Sequence, residues 1–91
     1  MAENPATLRC TILTPEGPVF DGEARSVTAH AADGRVGILP GHAPLITALG
    51  SGPLRLEQPD GAVHRWRVEG GFLEVLKNEL SVLAEALHPA E

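Results

Sequence analysis

Phe72-Leu73-Glu74-Val75-Leu76-Lys77-Asn78-Glu79-Leu80-Ser81-Val82-Leu83-Ala84-Glu85-Ala86-Leu87 decides the fold, because it admits two readings. Leu80, Leu83, Ala84 and Leu87 stand at i, i+3, i+4 and i+7, the spacing of an amphipathic helix. Leucine, alanine and glutamate are also good helix formers. Against that, Phe72–Leu76 and Leu80–Ala84 are short apolar runs separated by Lys77-Asn78-Glu79, a polar break suited to a tight turn. The second reading predicts two strands, with a helical turn at most after Ala84.

The rest of the chain agrees with strands. Leu8, Cys10 and Ile12 alternate with Thr7, Arg9 and Thr11, the pattern of a half-buried strand. Pro15-Glu16-Gly17-Pro18 breaks it before Val19-Phe20. Val27 and Ala29 oppose Ser26, Thr28 and His30, and Asp33-Gly34 predicts a type I′ hairpin. Leu54 and Leu56 alternate with Arg55 and Glu57, and Asp60-Gly61 marks another turn. Trp66 and Val68 oppose Arg65, Arg67 and Glu69. Gly70-Gly71 then permits a sharp bend or a close backbone approach. Turn signals recur about every ten residues, which predicts an all-β antiparallel sandwich or barrel of short strands. At 91 residues the chain is one domain, residues 1–91, with a core over about 8–86.

Composition removes several function classes. Seven basic residues against twelve acidic ones give a net charge of −5, the wrong sign for a nucleic-acid binder. Cys10 is the single cysteine, so an intrachain disulfide and a four-cysteine zinc site are both excluded. No apolar run approaches the roughly 20 residues of a membrane-spanning helix. Met1–Thr7 is short and polar, unlike a signal or transit peptide. These features predict a cytoplasmic protein.

Catalytic patterns are missing. His30, Asp33 and His42 match no ligand spacing and lack a fourth donor, so no metal is expected. His64 is expected on a strand and His88 in solvent. Ser26 and Ser81 fall within strands, Ser51 lacks the G-x-S-x-G context, and Glu69 and Glu74 diverge across the glycines. No phosphate loop of either common type occurs, so no cofactor is expected. Lys77, the only lysine, stands in a turn where a lipoyl or biotinyl carrier bears its modified residue. Its neighbours Leu76 and Asn78 differ from the methionine or aspartate of such carriers, and a plain turn residue is the simpler account.

Gly37-Ile38-Leu39-Pro40-Gly41-His42-Ala43-Pro44-Leu45 suits neither helix nor strand. Pro40 and Pro44 push Leu39 and Ala43 into extended geometry, while Gly37 and Gly41 allow sharp turning. The product is a stiff, shaped loop, with His42 either a recognition group or a hydrogen-bonding lock. Preset dihedrals reduce the entropy lost on docking.

Asp33-Gly34-Arg35-Val36-Gly37-Ile38-Leu39-Pro40-Gly41-His42-Ala43-Pro44-Leu45 resembles the signature loop of the epsilon subunit of F-type ATP synthases. Thr14-Pro15-Glu16, Val19-Phe20-Asp21-Gly22-Glu23, Glu69-Gly70-Gly71-Phe72-Leu73-Glu74-Val75 and Leu80-Ser81-Val82-Leu83-Ala84 agree in order. The resemblance implies the family's N-terminal domain, a flattened β-sandwich of about ten short strands. It implies a non-catalytic rotor subunit joining the gamma subunit to the membrane c-ring, coupling proton or sodium flow to ATP synthesis. Such a subunit sits peripherally on the cytoplasmic side of a bacterial inner membrane and is monomeric when isolated. By analogy Pro40, Gly41, His42, Ala43, Pro44 and Thr47 face gamma, and Asp33, Gly34, Arg35, Val36 and Gly37 face the c-ring. Two departures stand out. Many relatives carry an acid where this chain has Arg35. The usual epsilon also continues into a two-helix domain, whereas this sequence stops at Glu91, so tail-based inhibition is not expected of it.

Overall fold

A computed structural model describes residues 7–90. Among them there is no helix; seven strands follow one another as β1 (Leu8–Thr14), β2 (Gly17–Ala24), β3 (Ser26–Ala31), β4 (Gly34–Ile38), β5 (Leu45–Glu57), β6 (Val63–Leu76) and β7 (Glu79–Pro89). They form one hydrogen-bonded sheet in the order β2-β1-β7-β6-β5-β3-β4. Met1–Thr7, read above as unlike a signal or transit peptide, lies apart from Thr7 outside the described residues, as does Glu91.

Seven strands replace the ten expected, because β5, β6 and β7 are long: 13, 14 and 11 residues. Each rolls over halfway without losing its partners. In β5 the buried side chains change from odd to even positions, Leu49 and then Leu54 and Leu56. β6 changes from Val68 to Leu73 and Val75, and β7 from Val82 and Ala84 to half-buried Leu87. The pairing resumes in the same register on both sides of that level, as Leu49↔Gly71 and Ser51↔Glu69 demonstrate. Each half of these strands therefore serves a different layer, and counting halves recovers ten short strands, five in each layer.

Glycine makes the roll possible. Gly70 and Gly71 have φ of 79° and 129°, outside the range of ordinary side chains. A β-carbon on Gly71 would lie 2.0 Å from the Leu83 carbonyl oxygen, so β7 backbone occupies the place of a side chain.

The folded-over sheet encloses one core. It takes Leu8, Cys10 and Ile12 from β1, Val27 and Ala29 from β3, Ile38 from β4, and the buried positions of the long strands. Phe20 on β2 reaches across to β6, its ring centroid 5.4 Å from that of His64 and 6.2 Å from that of Trp66. β2 and β6 are not hydrogen-bonded neighbours, so this aromatic cluster closes one layer on the other.

Three local expectations change. One pairing, β1 with β7, is parallel among five antiparallel ones, because β7 returns beside the first strand rather than through a hairpin with it. The helical turn after Ala84 is absent: Ala86, Leu87, His88 and Pro89 pair with Glu69, Val68, Arg67 and Trp66. Ladder bonds and core burial override a propensity of a few tenths of a kcal/mol per residue. The β3–β4 turn falls one residue early, on Ala32-Asp33, since Gly34 at φ 140° already pairs with Ala31. Positive φ at two successive loop residues occurs instead at Lys77 (50°) and Asn78 (63°), between β6 and β7.

Candidate functional site

Leu39 to Pro44 connect β4 to β5 as a compact loop at the end of the sandwich. Gly41 takes φ 88°, and the His42 amide donates to the Leu39 carbonyl at 3.1 Å. The Gly41 amide donates to Oδ1 of Asn78 at 2.7 Å, tying the loop to the β6–β7 turn. Nδ1 of His42 lies 2.7 Å from the Ala43 carbonyl oxygen. A carbonyl only accepts, so Nδ1 carries the proton that is donated to Ala43. Half-buried His42 thus serves as a lock on the loop. Ala43 and Pro44 are exposed and Pro40 is half-buried.

The two groups of sequence-predicted positions occupy different places. Pro40–Pro44 form the tethered loop. Asp33, Gly34 and Arg35 are exposed on the β3–β4 turn and the edge strand β4, with Val36 half-buried and Gly37 exposed. Thr47 stands apart from the loop, in a groove with Asp33, Gly34, Arg35, Val36 and Leu45. Lys77 occupies the β6–β7 turn, exposed, beside the Asn78 that holds the loop.

The residues missed by sequence reasoning are apolar and exposed. Ile46 is 69 % exposed, Phe72 55 %, Leu83 52 % and Leu76 47 %. Phe72 and Leu83 are direct register partners, Ala48 faces Phe72 across β5, and Ile46 faces Glu74. Ile46, Phe72 and Leu83 share one shallow groove with Glu74 and Ser81 on the outer face of β5, β6 and β7. Adjoining hollows extend it to Pro44 at the loop on one side, and to Leu13 and Pro15 at the β1–β2 turn on the other. Scattered exposed hydrophobes need no explanation, but a contiguous row of them marks an interaction surface. Glu74 lies within the groove, between Ile46 and Ser81, and Glu85 lies in the adjoining hollow. A signal was present: Phe72-Leu73 and Val82-Leu83 put apolar side chains on both faces of their strands, where a one-sided strand would alternate.

Residues 7–90 match the family described as ATP synthase, Delta/Epsilon chain, beta-sandwich domain. The chain is 42% identical over 85 residues to the ATP synthase epsilon chain of Bacillus velezensis, a match covering 93% of this chain and 64% of that relative. It therefore spans about two thirds of that protein's length. Its fold superposes on a chain of the Euglena gracilis mitochondrial ATP synthase, solved with OSCP, F1 and c-ring, at a TM-score of 0.90 and 21% identity, covering 97% of this chain and 56% of the other. A chain from the central stalk and c-ring of the Tetrahymena thermophila mitochondrial ATP synthase gives a TM-score of 0.77 at 17% identity, covering 97% and 69%.

Proposed function

Because this chain belongs to the ATP synthase Delta/Epsilon beta-sandwich family, we propose that it works as a non-catalytic subunit of the central stalk, gripping the gamma subunit and resting on the c-ring. The observation that carries this reading is the apolar row of Ile46, Phe72 and Leu83, continuous with the tethered Leu39–Pro44 loop. A sheet face of this kind costs solubility in isolation and is useful only when covered. Stiffness suits the role as well. The loop is closed on itself by one hydrogen bond and tied to the β6–β7 turn by another, and every strand belongs to one continuous sheet, so torque applied at one face reaches the other without a hinge.

Gamma covers the apolar face and the loop, with His42 at the margin. Glu74 within the groove and Glu85 beside it call for basic groups on gamma next to the apolar contacts. The Asp33–Gly37 edge meets the polar loops of the c-ring, and Arg35 calls for an acidic residue there. Coupled to either protons or sodium ions, such a rotor sits on the cytoplasmic side of a bacterial inner membrane and touches the bilayer only through the ring.

The test is binding to the gamma subunit. Phe72→Glu with Leu83→Glu leaves the fold intact, since both side chains are exposed, and weakens gamma binding at least tenfold, the effect of losing a central apolar contact. Unchanged affinity in a folded double variant overturns the reading.

A further inference from the structure

The outer face of the second layer has the opposite character. Its outward positions bring together Arg65 on β6, Arg55 on β5, Thr28 and His30 on β3, and Arg35 on β4. Arg55 pairs directly with Arg65 and with Thr28, and His30 pairs with Arg35. With Pro53, Leu54 and Ala90 they line one concave groove, to which no acidic residue among the described ones contributes. The chain carries seven basic residues against twelve acidic ones, yet three of those seven converge here.

Arg35 and Arg65 have no carboxylate within 4.0 Å among the described residues. Arg55 comes within 3.6 Å of Glu57, but Arg25 holds that carboxylate more closely. Like charges directly opposite in an antiparallel pair are destabilising. The Arg55–Arg65 pair is therefore a standing repulsion that an anion relieves. His30 is seated by design of the backbone: its ring packs over Gly52, where a β-carbon would come within 2.9 Å of Cγ. The imidazole is thus held at the groove rather than left to roam.

We propose that this groove binds a small oligophosphate, either inorganic or the phosphate chain of a nucleotide. Each guanidinium presents a planar fork matched to two phosphate oxygens. Three forks, a hydroxyl and an imidazole exceed what one carboxylate can engage, and adjacent strands about 4.8 Å apart distribute them along a chain of phosphates. The site is separate from the apolar face. It shares Arg35 with the edge assigned to the c-ring, but the inference does not rest on that assignment.

Pyrophosphate is titrated into the isotope-labelled full chain at physiological salt, and backbone and guanidinium resonances are followed. Saturable shifts centred on Thr28, His30, Arg35, Arg55 and Arg65 are expected, weakened at least tenfold in Arg55→Gln with Arg65→Gln. Arg35→Gln is expected to weaken binding less, by about threefold, about 0.7 kcal/mol. A parallel titration with ATP distinguishes the sources: equal affinity assigns an inorganic chain, tighter affinity a nucleotide. Absence of saturation, shifts unaltered in the folded double variant, or tighter binding of polyglutamate than of pyrophosphate overturns the proposal. Gamma binding by the Arg55→Gln, Arg65→Gln variant remains at the native level, so failure here is distinguishable from failure of the central-stalk reading.

Discussion

The Gly41 amide and the Asn78 side chain meet at 2.7 Å, 37 residues apart in sequence. Through this one bond the β4–β5 loop and the β6–β7 turn become a single rim. Asn78 does two jobs, because its own φ of 63° belongs to the region that asparagine and glycine tolerate best. The two jobs separate by substitution. Asn78→Gly keeps the turn and removes the bond, so stability falls by no more than about 1 kcal/mol while the Gly41 amide exchanges about fivefold faster. Asn78→Ala loses the bond and adds backbone strain of about 1 kcal/mol or more. Denaturation and amide exchange read the two effects independently.

Gly71 and Gly34 have similar dihedrals, φ 129° and 140°, but different surroundings. A β-carbon on Gly34 meets nothing within 4 Å, whereas on Gly71 it runs into the Leu83 carbonyl. Gly34→Ala is expected to cost about 1–2 kcal/mol of strain and to remain folded. Gly71→Ala must push β7 away from β6 at the level where both strands roll over. It is expected to lose more than about 3 kcal/mol and to populate the unfolded state measurably. Urea titrations of the two variants, side by side, check the contrast.

The all-β class was legible because period-two alternation at Leu8–Ile12 and Leu54–Leu56 is local, and local pattern survives folding. What the sequence concealed is non-local. Nothing between Leu45 and Glu57 announces that one strand serves two layers, since the change of inward parity from Leu49 to Leu54 shows only against partner strands. The helix-like spacing at Leu80–Leu87 arose partly from the same roll-over, as Leu80, Val82 and Ala84 point inward and then Leu87 does, and partly from Leu83, an apolar residue on the outer face. The tethered loop could be read from its prolines and glycines, but not its anchor, for no local rule connects Gly41 to Asn78. The apolar face was hidden because exposed Phe72 and Leu83 look like core residues until the burial of Leu73 and Val82 is known.

Glu57 receives Arg25 as a hydrogen-bonded partner, which holds its carboxyl below the usual 4.5, with the Arg55 charge adding to the effect. A carboxylate depressed in the folded state contributes stability that is fully present above its unfolded value and is lost as pH falls through the folded one. Acid titration of the native protein is thus expected to show a loss beginning below about pH 4.5 that Arg25→Gln removes in part. The size is small, because the pair borders solvent. Parallel denaturation at pH 7 and pH 3.5 checks it: the gap between native and Arg25→Gln chains should narrow at the lower value.

Cys10 lies wholly buried on β1 between Leu8 and Ile12. Burial, reinforced by the nearby Asp21 carboxylate, pushes its thiol from 9.0 up to about 12. The nucleophile in thiol chemistry is the thiolate, so a native Cys10 at pH 8 should ignore a disulfide reagent and react only as fast as the domain opens. The same shift predicts alkaline behaviour. With the folded value above the unfolded one, the thiol leaves stability intact below pH 9.0, then lowers it as the unfolded chain ionises first, up to about pH 12. Cys10→Ala abolishes that component while costing about 1 kcal/mol for the lost sulfur contact. Cys10→Ser is worse, since its hydroxyl enters a strand-lined core with no side-chain polar group to receive it, and about 1–3 kcal/mol is expected. A labelling rate that equals the independently measured opening rate upholds this account of Cys10, and rapid labelling of the fully folded chain defeats it.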